Sequence, residues 1–391
     1  MKIRNIPFYL KQAGYLFPML FGYVLSLFTR KSGGSHDVWL LMERGFDAQD
    51  NAWHLMKYLH RSHPEIDARY AIKKYSHDIE KLRDCKNAMI DYGSVRYYMC
   101  LYNASVIAST HIGTYLPSLW LKGKLEGTFL IPEGKKVFLQ HGILHNNIAQ
   151  LHYPYNEDLK LFVCGARNEF ELVSERYQYP KGIVQYCGLA RFDNLHDFKT
   201  NRTILFMPTW RIKYKYYSDE QFKTTDYYQS YKQILNSKSL KDCLVKNGYR
   251  LIFINHVEFQ KFNHLFECFN DSMVEILSLK TGHIQNLLKD ADVLVTDYSS
   301  VYYDFIYMGK PVIFYHINKD MFYDGQYGRD YDNVSDFGVV AESVQELSDS
   351  IISLIHNNCV MDERFIENMD RIFPLRDKNN CKRITEAILN I

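Results

Sequence analysis

The sequence predicts an α/β protein of two domains, each built on a parallel β-sheet. Three observations carry this expectation. At 391 residues the chain is too long for one ordinary core. Short apolar, β-branched runs alternate with helical stretches along most of its length, the rhythm of parallel sheets covered by helices on both faces. Residues 291–315, ADVLVTDYSSVYYDFIYMGKPVIFY, read as a complete β-loop-α-β unit. A strand, ADVLVT, leads to a turn at Asp297, Ser299 and Ser300. A helix from Val301 to Met308 follows, ended by Gly309, and Lys310-Pro311 opens a second strand. Hydroxyls at a helix N-terminus serve either as caps or as part of an anion site.

Composition narrows the function class. Lys and Arg number 47 against 45 Asp and Glu, so bulk nucleic-acid binding is not expected. The 31 tyrosines fit amphipathic clefts and surfaces. Eight cysteines form no CxxC pair, which points to a reduced cytoplasmic compartment and away from structural zinc.

The N-terminus stands apart. Lys2, Arg4 and Lys11 precede an apolar, aromatic-rich run from Tyr15 to Phe28, closed by Arg30 and Lys31. The run is shorter than the roughly 20 residues that span a bilayer. It also contains Pro18 and lacks a small-residue cleavage site. An in-plane, peripheral anchor on the cytoplasmic membrane surface is expected, with a core helix of the first domain as the alternative. The expected division is 1–35 for this segment and the linker Ser32-Gly33-Gly34-Ser35, 36–198 for the first domain, and 199–391 for the second, with the last helix free to cross back.

From Val38 the alternation is regular. Val38 to Met42 reads as a strand and the following segment as a helix capped by Asp50 or Asn51, with Trp53, Met56, Leu59 and His60 on one side. Strand Ala68 to Ile72, helix Asp78 to Arg83, strand Met89 to Tyr92, helix Val95 to Cys100 and strand Ser105 to Ala108 continue it. Residues 116–132 lack periodicity and are expected to be a surface loop. A strand from Val137 to Gln140 ends at His141-Gly142. Parallel sheets place ligands at that end, a glycine admits close approach, and histidine accepts protons near neutral pH. His141 is therefore a candidate general base, with a structural histidine or a metal pair with His145 as alternatives.

Leu161 to Gly165, Asn168 to Tyr177 and Ile183 to Gly188 read as strand, helix and strand. Arg191 then follows, able to clamp a phosphate or to pair with Asp193. The strand Thr203 to Met207 opens a new sheet and ends in Pro208-Thr209-Trp210-Arg211, a segment with a hydroxyl and a cation suited to phosphate. Residues 213–231, rich in tyrosine, are expected to be a mobile loop. Leu251 to Asn255 is a strand ending at His256. Helices are expected at His283 to Lys289, Val344 to His356 and Cys381 to Leu389.

The motifs QHG (Gln140 to Gly142), PTWR (Pro208 to Arg211), His256, TDYSS (Thr296 to Ser300) with Asp304, and DKNN near the end occur in one order. Together they resemble the CDP-glycerol glycerophosphotransferase family, which builds teichoic-acid and related capsule polymers. The resemblance spans about residues 36–390 and implies a GT-B fold: two Rossmann-like domains facing a cleft, with the donor held mainly by the second. It implies a CDP-polyol donor, a lipid-linked or polysaccharide acceptor, release of CMP, and no metal or other cofactor. It assigns His141 as base and His256 as the second essential histidine. Gly142, Arg191, Pro208, Thr209, Arg211, Ser299, Ser300 and Asp304 would contact the donor. The sequence departs from the family pattern beside both histidines: Gln140 stands where tryptophan is usual, Ile143-Leu144 where Thr-Pro is, and Val257 where proline follows the histidine. Ala190 likewise replaces a proline before Arg191. Two other functions remain open, a GT-B glycosyltransferase with a nucleotide-sugar donor and a non-catalytic, membrane-docked module of a capsule assembly complex.

Overall fold

The computed structural model describes residues 6–29, 38–144, 158–278, 284–317 and 334–391. Lys2, Arg4, Arg30, Lys31, the Ser-Gly linker, His145 and His283 lie outside that set. The chain divides into two compact units between Asp193 and Asn194 rather than at 198, and residues 377–391 belong to the first unit.

The first unit carries a parallel sheet of β1 (Val38–Met42), β2 (Asp67–Ile72), β3 (Met89–Asp91), β4 (Val106–Ser109), β5 (Lys135–Phe138), β6 (Leu159–Cys164) and β7 (Val184–Tyr186), in the order β3-β2-β1-β4-β5-β6-β7. The central strands are buried on both faces, which is why VWLLM and VIAS read as unbroken apolar or small-residue runs. Helix Asn51–Ser62 starts where the Asp50 carboxylate accepts from the Asn51 N–H. It buries Ala52, Leu55, Met56 and Leu59, an i, i+3, i+4, i+7 stripe. His60, expected on that face, is exposed, because it lies one residue beyond the stripe.

Helix Ile6–Thr29 packs along helix Val95–Asn103 of the same unit. Met19 is fully buried and Tyr23 meets Tyr102 edge-on at 5.2 Å. A Cβ on Gly22 would lie 2.5 Å from Tyr98 Cβ, so the close approach requires glycine there. Phe17, Phe21, Val24, Leu27 and Phe28 remain exposed. No helix among the described residues is long and apolar enough to cross a membrane. The expected loop at 116–132 contains a helix, Leu119–Leu125, started by the Ser118 side chain accepting from Leu121 N–H. Seven residues including Gly123 are too few to display a helical period. The last helix, Asn380–Leu389, is seated by Asp193, whose carboxylate accepts from Asn380 N–H, Asn380 Nδ2 and Cys381 N–H. Asp193 is thus engaged with this helix.

The second unit carries β8 (Thr203–Phe206), β9 (Arg250–Phe253), β10 (Val274–Ile276), β11 (Val293–Thr296), β12 (Val312–Tyr315) and β13 (Val339–Ala341), all parallel in the order β10-β9-β8-β11-β12-β13. The segment 213–231 is not a loop. Helices Asp219–Lys223 and Asp226–Leu235 run through it, started by a Ser218–Gln221 capping box and by Thr225. Tyr214, Phe222, Tyr227, Tyr228 and Tyr231 are buried, with Phe222 stacked on Phe262 at 3.9 Å. Each aromatic withdrawn from water contributes roughly 1.5–3 kcal/mol, so these rings are core and not a mobile flap.

Counted within its own unit, each sheet runs third, second, first, fourth, fifth, sixth, and the first sheet adds a seventh strand at that edge. Each therefore has a point, β1/β4 and β8/β11, where successive connections leave in opposite directions. Ligands of doubly wound sheets sit outside the carboxyl ends of the strands at that point.

Candidate active site

In the first unit, β5 is followed by Leu139 and then Gln140, a buried residue in the left-handed region at φ 62°. That conformation costs about 1 kcal/mol or more for a non-glycine residue. Three hydrogen bonds hold it: Gln140 Nε2 donates to Glu169 at 3.0 Å, the His141 N–H to Gln140 Oε1 at 3.1 Å, and Asn51 Nδ2 to the Gln140 carbonyl at 2.7 Å. The twist sets His141 beside the end of β4. There its Nδ1 lies 3.1 Å from the Thr110 carbonyl oxygen. A carbonyl only accepts, so Nδ1 carries the proton and Nε2 the lone pair. His111, two residues beyond β4, stacks on the ring at 4.3 Å and 12°.

Part of His141 reaches solvent, but its ring is packed among protein atoms. That burial lowers its pKa below the ordinary histidine value, with the charges of Arg191 and Arg44 adding to the effect and the Thr110 bond opposing it. His111 is pushed down to about 3 by burial, then by His141 and Arg44. Both rings are neutral near pH 7. Arg191 donates through Nη1 to Asp50 Oδ1 at 3.0 Å and to the His141 carbonyl at 3.3 Å. Asp50 is thus an ion-pair partner of Arg191, while the Asp193 carboxylate is taken up by Asn380 and Cys381. Glu43, at the end of β1, accepts from the Asp50 N–H at 2.8 Å, and burial together with the Asp50 charge raises its pKa to about 8. Gly142 is half-buried beside His141.

In the second unit the loops after β8, β9 and β11 meet. Asp297, fully buried, accepts from Thr209 N–H at 2.8 Å and Tyr298 N–H at 2.7 Å through Oδ1, and from Arg211 Nη2 at 3.0 Å through Oδ2. Arg211 also donates to Thr209 Oγ1 at 2.8 Å and lies over the rings of Tyr227 and Tyr298. The Pro208–Arg211 and Asp297–Ser300 segments are thus one tied structure, with Arg211 inside it. Trp210 stacks on His256 at 6.0 Å and 18°. His256 Nδ1 accepts from the Glu258 N–H at 3.2 Å. An amide only donates, so in the neutral ring the proton sits on Nε2. Burial lowers the His256 pKa against the opposing charges of Glu258 and Asp297. Ser299 Oγ accepts from Val301 N–H at 3.3 Å, whereas Ser300, in the cap position of helix Val301–Tyr307, makes no capping bond. Asp304 is buried one turn further on.

The first unit gathers His141, Gly142 and Arg191; the second gathers Pro208, Thr209, Arg211, His256, Ser299, Ser300 and Asp304. Sequence reasoning passed over His111, Glu43, Gln140 as a positioning residue, and the part of Asp297 in holding Arg211. His111 carried the same signal as His141, a histidine just past a parallel strand. The others are partners across strands, with no local signature.

Over residues 24–390 the sequence matches the family described as CDP-Glycerol:Poly(glycerophosphate) glycerophosphotransferase. The chain belongs to this family. It is 30% identical over 379 residues to the minor teichoic acid biosynthesis protein GgaB of Bacillus subtilis (strain 168), a match covering 94% of this chain and 41% of GgaB. It is 27% identical over 247 residues to the teichoic acid poly(glycerol phosphate) polymerase of Bacillus spizizenii, covering 56% of each. The chain therefore spans only about half, or less, of these relatives' lengths. The wall teichoic acid polymerase TagF superposes with a TM-score of 0.66 over 100% of this chain and 98% of its own, at 14% identity. A TagF variant soaked with CDPG gives 0.67. Such likeness shows the fold, and the two parallel-sheet units are of the GT-B class that the motifs imply. The chain places His141, His256 and its PTWR and TDYSS segments beyond the carboxyl ends of strands in two doubly wound sheets.

Proposed function

We propose that the chain is a polyol-phosphate transferase. It moves glycerol phosphate, or a related polyol phosphate, from a CDP-linked donor to a hydroxyl of a lipid-linked, teichoic-acid or capsule acceptor and releases CMP. The observation that carries this is the pair of opposite histidine tautomers. His141 offers a lone pair at Nε2, and His256 offers an N–H at Nε2.

In the reaction, the acceptor hydroxyl gives its proton to His141 Nε2 as its oxygen bonds the phosphorus bearing the glycerol. The bond from that phosphorus to the CMP oxygen breaks, and CMP leaves with the electron pair. His256 Nε2–H and the Thr209, Ser299 and Ser300 hydroxyls donate to the phosphate oxygens, where charge builds. Arg191 adds a cation on the base's side. Positioning and electrostatics of this kind supply most of phosphoryl-transfer catalysis. Arg211, enclosed by Asp297 and two aromatic rings, acts by holding the Thr209 loop in place. Asp304 contacts the donor or orients the serines.

Purified protein given CDP-glycerol or CDP-ribitol and a lipid-linked acceptor should release CMP and add polyol-phosphate mass to the acceptor. It should continue to do so in EDTA. No CMP from either donor, or UDP release from a nucleotide sugar instead, would reject the proposal.

Peripheral membrane association is part of the same reading. Helix Ile6–Thr29 fixes one face to the core and leaves Phe17, Phe21, Leu27 and Phe28 outward, as an in-plane anchor requires. Phe17→Ser with Phe28→Ser should lower binding to anionic vesicles without moving the melting temperature. Deleting the helix would instead uncover Tyr98 and Tyr102 and destabilise the unit. Vesicle binding equal to wild type in the double variant would remove the anchor.

A further inference from the structure

Neighbouring loops leave the carboxyl edge of the first sheet in the order β2, β1, β4, β5. His141 stands past β5 and His111 past β4. The edge continues beyond them, with Arg44 and Phe46 past β1 and Tyr75 past β2. Phe46 is 50% exposed and Tyr75 67%, and their ring centroids lie 6.2 Å apart. We propose that Phe46, Tyr75 and Arg44 form an acceptor subsite for a polymer chain carrying both pyranose rings and phosphodiesters, which runs along the sheet edge to His141. This rests on the reading of His141 as the base.

Single exposed aromatics are ordinary on protein surfaces. This pair differs in being adjacent and in being held by pinned loops. The Lys73 N–H donates to the Gly45 carbonyl at 2.8 Å, Tyr70 Oη to the Asp47 carbonyl at 2.9 Å, and the Ala48 N–H to Asp78 Oδ2 at 3.0 Å. Ser76 Oγ donates to the Phe46 carbonyl itself. Gly45, at φ 80°, lies so close to Tyr92 that a Cβ would come within 2.6 Å of its ring. The rings are therefore presented ready-made, and a ligand that covers them spends little on ordering the loops.

The chemistry of the occupant follows from the surface. A bare polyol phosphate is flexible and has no apolar face to lay on an aromatic ring, whereas a pyranose has one. Arg44, its side chain 58% exposed and bonded to Asp47 at 2.7 Å, adds a guanidinium to the same loop past β1 that carries Phe46. Its charge acts on both His111 and His141, which ties this stretch of edge to the base. Three strand spacings separate the β2 and β5 loops, roughly 14 Å, so the chain would reach the base with more than one unit bound.

Two soluble chains test the subsite by calorimetry, without requiring turnover. One is an oligo(glycerol phosphate); the other is the same oligomer bearing glucosyl substituents. Wild type should prefer the glucosylated chain. Phe46→Ala with Tyr75→Ala should weaken that chain about tenfold and the bare chain less than about twofold. Phe46→Tyr with Tyr75→Phe, which keeps both rings, should bind as wild type does. Arg44→Gln should weaken both chains alike and flatten their salt dependence. Equal affinity of wild type for the two chains, equal losses in the alanine variant, or a loss confined to free CDP would overturn the proposal. An enzyme that binds the glucosylated chain as expected but releases no CMP from CDP-glycerol would fail the proposed function while leaving this subsite standing.

Discussion

His141 and His256 follow strands of sheets that share one strand order, yet their rings are held in opposite ways. His141 meets a carbonyl at Nδ1 and keeps a lone pair at Nε2. His256 meets an amide N–H at Nδ1 and keeps a proton at Nε2. Their neighbours differ in the same sense. Burial, and then the charges of Arg191 and Arg44, disfavour a positive charge on His141, whose ring stacks on a second neutral imidazole. Beside His256 lie an indole and a loop organised by a buried ion pair. The same topology thus supplies an acceptor of protons in one unit and a donor of hydrogen bonds in the other. What separates them is the backbone group that each ring happens to face.

The largest effect should come from His141. His141→Ala should lower kcat by about 10²–10⁴-fold with little change in CDP-glycerol affinity, measured by single-turnover rates beside calorimetry. Wild-type turnover in that variant would break the contrast outright. Next comes the ion pair of the second unit. Arg211→Ala strands the buried Asp297 carboxylate and should cost about 3–5 kcal/mol in a denaturant titration. Asp50→Ala, which breaks a pair with more solvent contact and also removes the cap of helix Asn51–Ser62, should cost less, about 1–2 kcal/mol. Equal losses would mean that Arg211 is less enclosed than its contacts indicate.

Glutamine sharpens the contrast further. His256→Ala should lose a hydrogen bond to a charged phosphate, about 1.5–3 kcal/mol, shared between donor affinity and rate. His256→Gln retains an N–H donor and should recover part of it. His141→Gln should recover nothing, because an amide nitrogen is not a base. Rescue at 141 and none at 256 would exchange the two roles. The smallest effect is in pH. His141 must be neutral to act and its pKa lies below the ordinary histidine value, so the acid limb of kcat/KM should fall below pH about 6.5. Arg44→Gln removes a positive charge that opposes protonation and should move that limb to higher pH. His111 contributes to stability in the same direction. Its pKa falls from about 6.5 unfolded to about 3 folded, so its share is complete above the former and is lost as pH drops between the two. His111→Asn should flatten acid unfolding across that window.

Much of the scaffold was legible in the residues alone. Buried parallel strands leave apolar runs, so β1, β4, β8 and β11 could be placed with the PTWR and TDYSS turns that follow β8 and β11, and the apolar ends of β5 and β9 located His141 and His256. Where local pattern was broken up, the reading failed. Residues 213–231 hold two short capped helices whose tyrosines and phenylalanine look like a polar-aromatic loop until their neighbours are known. The helix at Leu119–Leu125 is too short to show a period. Only tertiary structure decided the rest. The backbone group facing each imidazole comes from another strand or the following turn, and it sets the tautomer. The enclosure of Arg211 needs Asp297, 86 positions away. The last helix is held by Asp193, from the far side of the second unit's sequence. A sequence carries the side chains that can react, but the protonation state and orientation in which they do so depend on partners that only folding brings within hydrogen-bond reach.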